Sequence, residues 1–172
     1  ISNTNALPIS AGTALTVLDE VSRSVQAEGW HFNTELKVTL APLSDGTITL
    51  SEDILEVDTT DTSIDIAQRG LSLFDRSNNT LVFAKPLEVN LTRLLDFTSL
   101  PESARRYITL RASRVFQGRI VGSRELEALI ARDEYNARAD LMDSEGNNSD
   151  RTIFDSYDVA SRIGINRNYD IS

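Results

Sequence analysis

The spacing of the apolar residues changes twice along this chain, and that change limits the folds open to it. From Thr13 to Gly29, Leu15, Leu18, Val21, Ser22 and Val25 recur at three- and four-residue steps, the spacing of one helix face. Thr13 can cap that helix and Gly29 can close it after about four turns. Between Leu36 and Leu94 the step shortens to two, through Leu36, Val38 and Leu40, Ile48 and Leu50, Ile64 and Ile66, Leu71 and Leu73, Leu81 and Phe83, then Leu87, Val89 and Leu91. Such alternation places successive side chains on opposite faces of a strand. Ser44-Asp45-Gly46, Arg69-Gly70 and Ser77-Asn78-Asn79 supply turn chemistry between the runs. About six or seven short strands then form a small antiparallel sheet, sandwich or open barrel.

Helical spacing returns after Leu100-Pro101-Glu102, where a proline and an acid in the first turn suit a helix start. This second helix runs to about Val121 and breaks at Gly122. Ser123 caps a third, which Leu126, Leu129, Ile130, Ala137 and Leu141 carry to about Asp143. The two make an antiparallel hairpin. Residues 1–12 read as an extended arm, Glu145 to Asp150 as a polar linker, and residues 152–172 as a weakly patterned tail that orders on a partner. The economical architecture is α+β. A discontinuous helical domain, residues 1–35 plus 95–172, carries a small antiparallel β domain inserted at 36–94.

Composition narrows the chemistry. The 172 residues include 17 Lys+Arg, 26 Asp+Glu, one His and no Cys, for a net charge of −9. There is no thiol nucleophile and no cysteine-based zinc site, and one His removes most His-rich metal sites. The longest apolar runs, such as Leu71 to Phe74 and Leu81 to Ala84, fall far short of the roughly 20 residues of a bilayer helix. The chain starts at Ile1 without a charged-then-apolar signal pattern, so the expectation is an N-terminus that was processed or left out.

Asp19, Glu20, Glu52, Asp53, Glu56, Asp58, Asp61 and Asp65 offer carboxylates, of which a glycosidase needs two facing across a cleft roughly 5 to 9.5 Å wide. A solvated acidic face is the commoner origin of such runs. The segment Asp143 to Asn148 lacks both the sixth-position glycine and the closing glutamate of a calcium loop. His31, between Trp30 and Phe32, reads as a packed or surface side chain. Nucleophile elbows, phosphate loops and dinucleotide fingerprints are all missing. The expectation is a chain without catalytic residues, cofactor or metal.

Charge is unevenly placed. Residues 101–124 hold Arg105, Arg106, Arg111, Arg114, Arg119 and Arg124 against Glu102 alone, a net of +5, while the helix after them is acidic. Opposite signs on neighbouring helices favour pairing over a grip on DNA. Helical phase puts Arg111 on the apolar stripe of Ala104, Tyr107, Ile108, Ala112 and Val115, and Asp133 on the facing stripe of Leu126, Leu129, Ile130 and Ala137, each eleven residues from Gly122. An ion pair between Arg111 and Asp133, or Glu134 one position on, is therefore expected inside the hairpin.

Two separated segments carry a resemblance. Glu28-Gly29-Trp30-His31-Phe32-Asn33 and Leu100-Pro101-Glu102-Ser103-Ala104-Arg105-Arg106-Tyr107-Ile108, the latter followed by Arg111-Ala112-Ser113-Arg114-Val115-Phe116, resemble the tail tubular protein A family of short-tailed bacteriophages. Their order around a β region matches as well, over roughly residues 13–143. The resemblance implies a virion tail protein, assembled in the host cytoplasm, that forms a twelve-fold ring as adaptor between the portal protein and the tail nozzle protein. DNA would pass through its channel without sequence recognition. Trp30 and Phe32, with Arg111 and Asp133, would be structural, and Arg105, Arg106, Arg114, Phe154 and Tyr157 would serve assembly. Competing readings are a carboxylate-based glycan hydrolase and a β-type adhesion module. Residues 36–94 hold only Phe74 and Phe83 as aromatics, which weakens both.

Overall fold

The computed structural model describes residues 9–155. Helix α1 spans Ile9–Gln26, strands β1 to β5 span Thr34–Leu40, Ile54–Thr59, Ile66–Arg69, Ser72–Asp75 and Leu87–Arg93, and helices α2 and α3 span Glu102–Phe116 and Arg124–Asp155. The fold is α+β. Helix α2 packs against α1 on one side and α3 on the other, so the three helices form one layer with α2 in the middle. Its buried seam consists of Val17, Val21 and Val25 of α1, Ala104, Tyr107, Ile108 and Ala112 of α2, and Ala137 and Leu141 of α3.

The β residues build a separate apolar cluster around Ile48, Leu73, Val89 and Leu91. One antiparallel sheet has the order β1-β5-β2, and β3-β4 form a second, two-stranded one. Strand β5 can occupy the centre because Leu87, Val89 and Leu91 point to the core while its backbone pairs on both edges.

The structure departs from the sequence reading at four places. Helix α1 starts at Ile9 instead of Thr13, so residues 9–12 of the expected extended arm are helical, while the rest of that arm lies outside the described residues. A helical glycine costs only about 1 kcal/mol against alanine, so Gly12 does not stop it. The five strands are fewer than expected, because the Ile48–Leu50 and Leu81–Phe83 runs make isolated bridges and single bonds to their neighbours. Strand β2 was not foreseen. Its pairing slips between Ile54 and Glu56, and such a bulge breaks the two-residue alternation that would announce it.

The fourth departure is in α3, which continues through the expected linker to Asp155. Leu141 is fully buried and the Glu145 carboxylate accepts the backbone N–H of His31. Those anchors outweigh the cost of Gly146. The α2–α3 turn itself follows expectation. A π-helical turn over Gln117–Val121 leads to Gly122, which adopts the left-handed conformation at φ +72°. The Ser123 Oγ then caps α3 by accepting the Leu126 N–H at 3.4 Å.

Candidate assembly site

A polar clamp joins the helical layer to the β sheet, and it is built from the residues between α1 and β1. Gly29 stands at φ +72°, where a non-glycine residue is strained, and turns the chain into a 3-10 turn over His31–Asn33. Asn33 is buried. Its Nδ2 donates to the carbonyls of Gln26 at the end of α1 and Arg93 at the end of β5, both at 2.8 Å, and its Oδ1 accepts the Trp30 N–H at 2.9 Å. Gln26, fully buried, closes the clamp. Its Nε2 donates to the Leu95 carbonyl at 3.0 Å, and its Oε1 accepts the Leu95 N–H at 2.7 Å.

Trp30 donates its Nε1–H to the Val25 carbonyl at 2.7 Å and stacks on Phe32 with ring centroids 6.5 Å apart. Both rings pack on the edge of the helical core. Arg93, on the same clamp, bonds Asp53 in the turn just before β2 at 2.7 Å and Glu35 of β1 at 2.8 Å, which raises its own pKa above the ordinary arginine value. Hydrogen bonds from Ser51 and then Arg93 hold the Asp53 carboxyl below its ordinary value of 3.8.

A second polar group runs along one edge of the α2–α3 seam. The Tyr107 hydroxyl accepts from Arg111 and from Arg138, each at 2.9 Å, and Arg138 also reaches Glu28 at 3.0 Å. Bonds to Glu28 first, then Tyr107, push the Arg138 pKa above its ordinary value. Arg111 lies 3.7 Å from Glu28, and Arg114 pairs with Glu134 at 3.1 Å and Glu127 at 3.8 Å.

The expected Arg111–Asp133 pair is therefore corrected. Arg111 turns to Tyr107 and Glu28, while Asp133 borders a shallow cleft with Arg105, Arg106 and Phe97 on the opposite edge. Glu134, the alternative partner, is taken by Arg114. Successive helical residues differ by about 100°, so Asp133 and Glu134 straddle the seam. The apolar stripe expected on α3 holds only in its C-terminal half: Ala137 and Leu141 face α2 as expected, whereas Leu126 and Leu129 are exposed.

Arg105 bonds Glu102 at 2.6 Å, Arg106 bonds Asp140 at 3.2 Å and Arg119 bonds Glu20 of α1 at 2.7 Å. Five of the six arginines of the cationic stretch are thus engaged within the chain. His31 is exposed, and its backbone bond to Glu145 is a contact the sequence did not announce. The side chain of Phe154 and all of Tyr157 lie outside the described residues. Four of the acids weighed for glycosidase chemistry have partners within the chain: Glu20, Asp53 and Asp65 pair with Arg119, Arg93 and Arg76, and Asp61 accepts from Ser63 at 2.7 Å. Among the described residues, no helix is long and apolar enough to cross a membrane.

What the geometry offers is a rigid bracket between two apolar cores. Asn33 and Gln26 were not singled out from the sequence, although Asn33 closes the Gly-Trp-x-Phe-Asn segment on which the resemblance rests. The family profile described as "Tail tubular protein" matches residues 3–151. No curated protein matches the chain at a significant level. With the profile covering most of its length, the chain belongs to the tail tubular protein family and is a structural protein of the bacteriophage virion tail.

Proposed function

We propose that this chain is an adaptor of the phage tail, a twelve-fold ring seated between the portal protein and the tail nozzle protein, through which the genome is retained and ejected. The observation that carries this reading is the clamp of Gln26, Asn33 and Arg93 between the helical and β cores. An adaptor transmits load between two partners, and a rigid link between its two binding parts serves that task. The helical part, residues 1–35 plus 95–172, and the inserted β part, residues 36–94, act as two domains with one partner each. The helical hairpin and the tail after Ser144 meet the portal, and the β domain meets the nozzle.

The net charge of −9 fits a channel that repels DNA phosphates and lets a duplex slide without grip. No catalysis or cofactor enters this reading. Separate binding assays with purified portal and nozzle test it: removing residues 150–172 weakens portal binding and leaves nozzle binding intact. The reverse pattern overturns the orientation.

A further inference from the structure

Two apolar surfaces of the helical layer have no partner within the described chain, and they lie on different faces. The first is concave. Between the N-terminal half of α1 and the C-terminal half of α2 lies a cleft of about 470 Å³, bounded by Ala11, Ala14, Leu15 and Leu18 on one wall and Ala112 and Phe116 on the other. It continues the buried stripe of Val17, Val21 and Val25, as though the core ran out of side chains before the helix ended. Leu15 is 49% exposed.

The second surface is convex. On α3 the residues Ala128, Ala131, Tyr135, Ala139 and Met142 fall within an arc of about 80° at 100° per residue. This stripe points away from α2, because Ala137 and Leu141 are the buried ones. Tyr135 is 76% exposed and Met142 56%. A helix with apolar stripes on two opposed faces is suited to partners on both.

We infer that the α3 stripe of one copy of this chain seats in the α1–α2 cleft of a second copy. Tyr135 and Met142 are seven residues apart, a rise of about 10.5 Å, and Ala11 and Leu18 mark the same rise along the cleft wall. Two large knobs flanked by alanines meet a groove of matching length. Charge agrees with this seating. Arg132 borders the stripe and Asp19 lies one turn beyond Leu15, and neither has an ion-pair partner among the described residues. In the docked arrangement they lie against each other, giving the register a polar check.

The contact joins two different surfaces, so each docked copy leaves a free stripe at one end and a free cleft at the other. Such heterologous contacts propagate and close into a ring when the rotation allows. The inference rests on the ring reading above and names the surfaces that would make the ring.

The chain contains no cysteine, which makes a cross-linking test clean. Leu15→Cys and Tyr135→Cys are prepared as single variants and as the double variant, then concentrated and oxidised. The mixed single variants give a covalent dimer and nothing larger, the double variant gives a ladder, and neither single variant alone gives a dimer. A Tyr135→Cys homodimer, or no cross-link in any mixture, overturns the inference. Sedimentation of the unmodified chain and of Leu15→Glu separates the two failures. If both assemble to the same size, the ring stands on other surfaces and this seating is wrong. If the unmodified chain assembles and Leu15→Glu is monomeric with an unchanged circular dichroism spectrum, the seating is supported.

Discussion

Asn33 does the most structural work of any single side chain described here, because it satisfies backbone groups from α1, β5 and its own turn at once. Replacing it with alanine leaves the Gln26 and Arg93 carbonyls and the Trp30 N–H without these partners in a buried setting. Unsatisfied buried groups cost more than the net value of the bonds lost. Asn33→Ala is expected to lower unfolding free energy by about 2–4 kcal/mol, read from urea denaturation. A loss below about 0.5 kcal/mol would mean that the turn rearranges and the clamp carries little. Gly46 shows a different constraint on the same scale. It stands at φ +82°, and a Cβ there would come within 2.6 Å of Val82 Cγ1, so the Ser44-Asp45-Gly46 turn admits no larger residue without movement.

At the scale of elements, the hairpin shows what a sequence reveals and what it conceals. The α2 stripe of Ala104, Tyr107, Ile108 and Ala112 was readable from spacing alone, since each is buried as the periodicity requires. The α3 face was only half readable, right at Ala137 and Leu141 and wrong at Leu126 and Leu129. Its apolar residues point to both sides, and only packing decides which side meets α2. The same ambiguity led to the Arg111–Asp133 expectation. Two double-mutant cycles separate the accounts. Glu28→Gln with Arg138→Met is expected to give a coupling of about 0.5–1 kcal/mol, modest because both side chains are partly solvated. Arg111→Met with Asp133→Leu should be additive within about 0.3–0.5 kcal/mol, the ordinary result for residues that do not touch. Strand β2 stayed hidden for a related reason, since its bulge sets Ile54 out of phase with Val57. The clamp was half legible. Trp30 and Phe32 stand out by type, whereas Gln26 and Asn33 are ordinary polar residues whose value lies in what tertiary packing brings to them.

At the scale of the whole molecule, acid sensitivity should concentrate in the β part. Asp45, Asp53, Asp61 and Asp75 are all held below their ordinary value of 3.8, by hydrogen bonds from Thr47, from Ser51 and Arg93, from Ser63 and from Asn78 respectively. A lowered carboxyl binds its proton less readily when folded than when unfolded. Its stabilising contribution is complete above the unfolded value and is lost as the pH falls through the folded one. Thermal stability by circular dichroism should therefore hold level on acidification to about pH 4 and fall below it. Asp53→Asn should flatten that fall, and an unchanged slope would show that Asp53 does not contribute.

The family places the chain in the virion tail, and the adaptor ring is the claim that gives its clamp, its net acidity and its unpartnered helix faces a common purpose. Counting the copies in an assembled tail tests that claim most directly. Native mass spectrometry or electron microscopy of portal-bound tails should show a single closed ring of twelve copies between portal and nozzle. A chain present as a monomer in assembled tails would contradict the account.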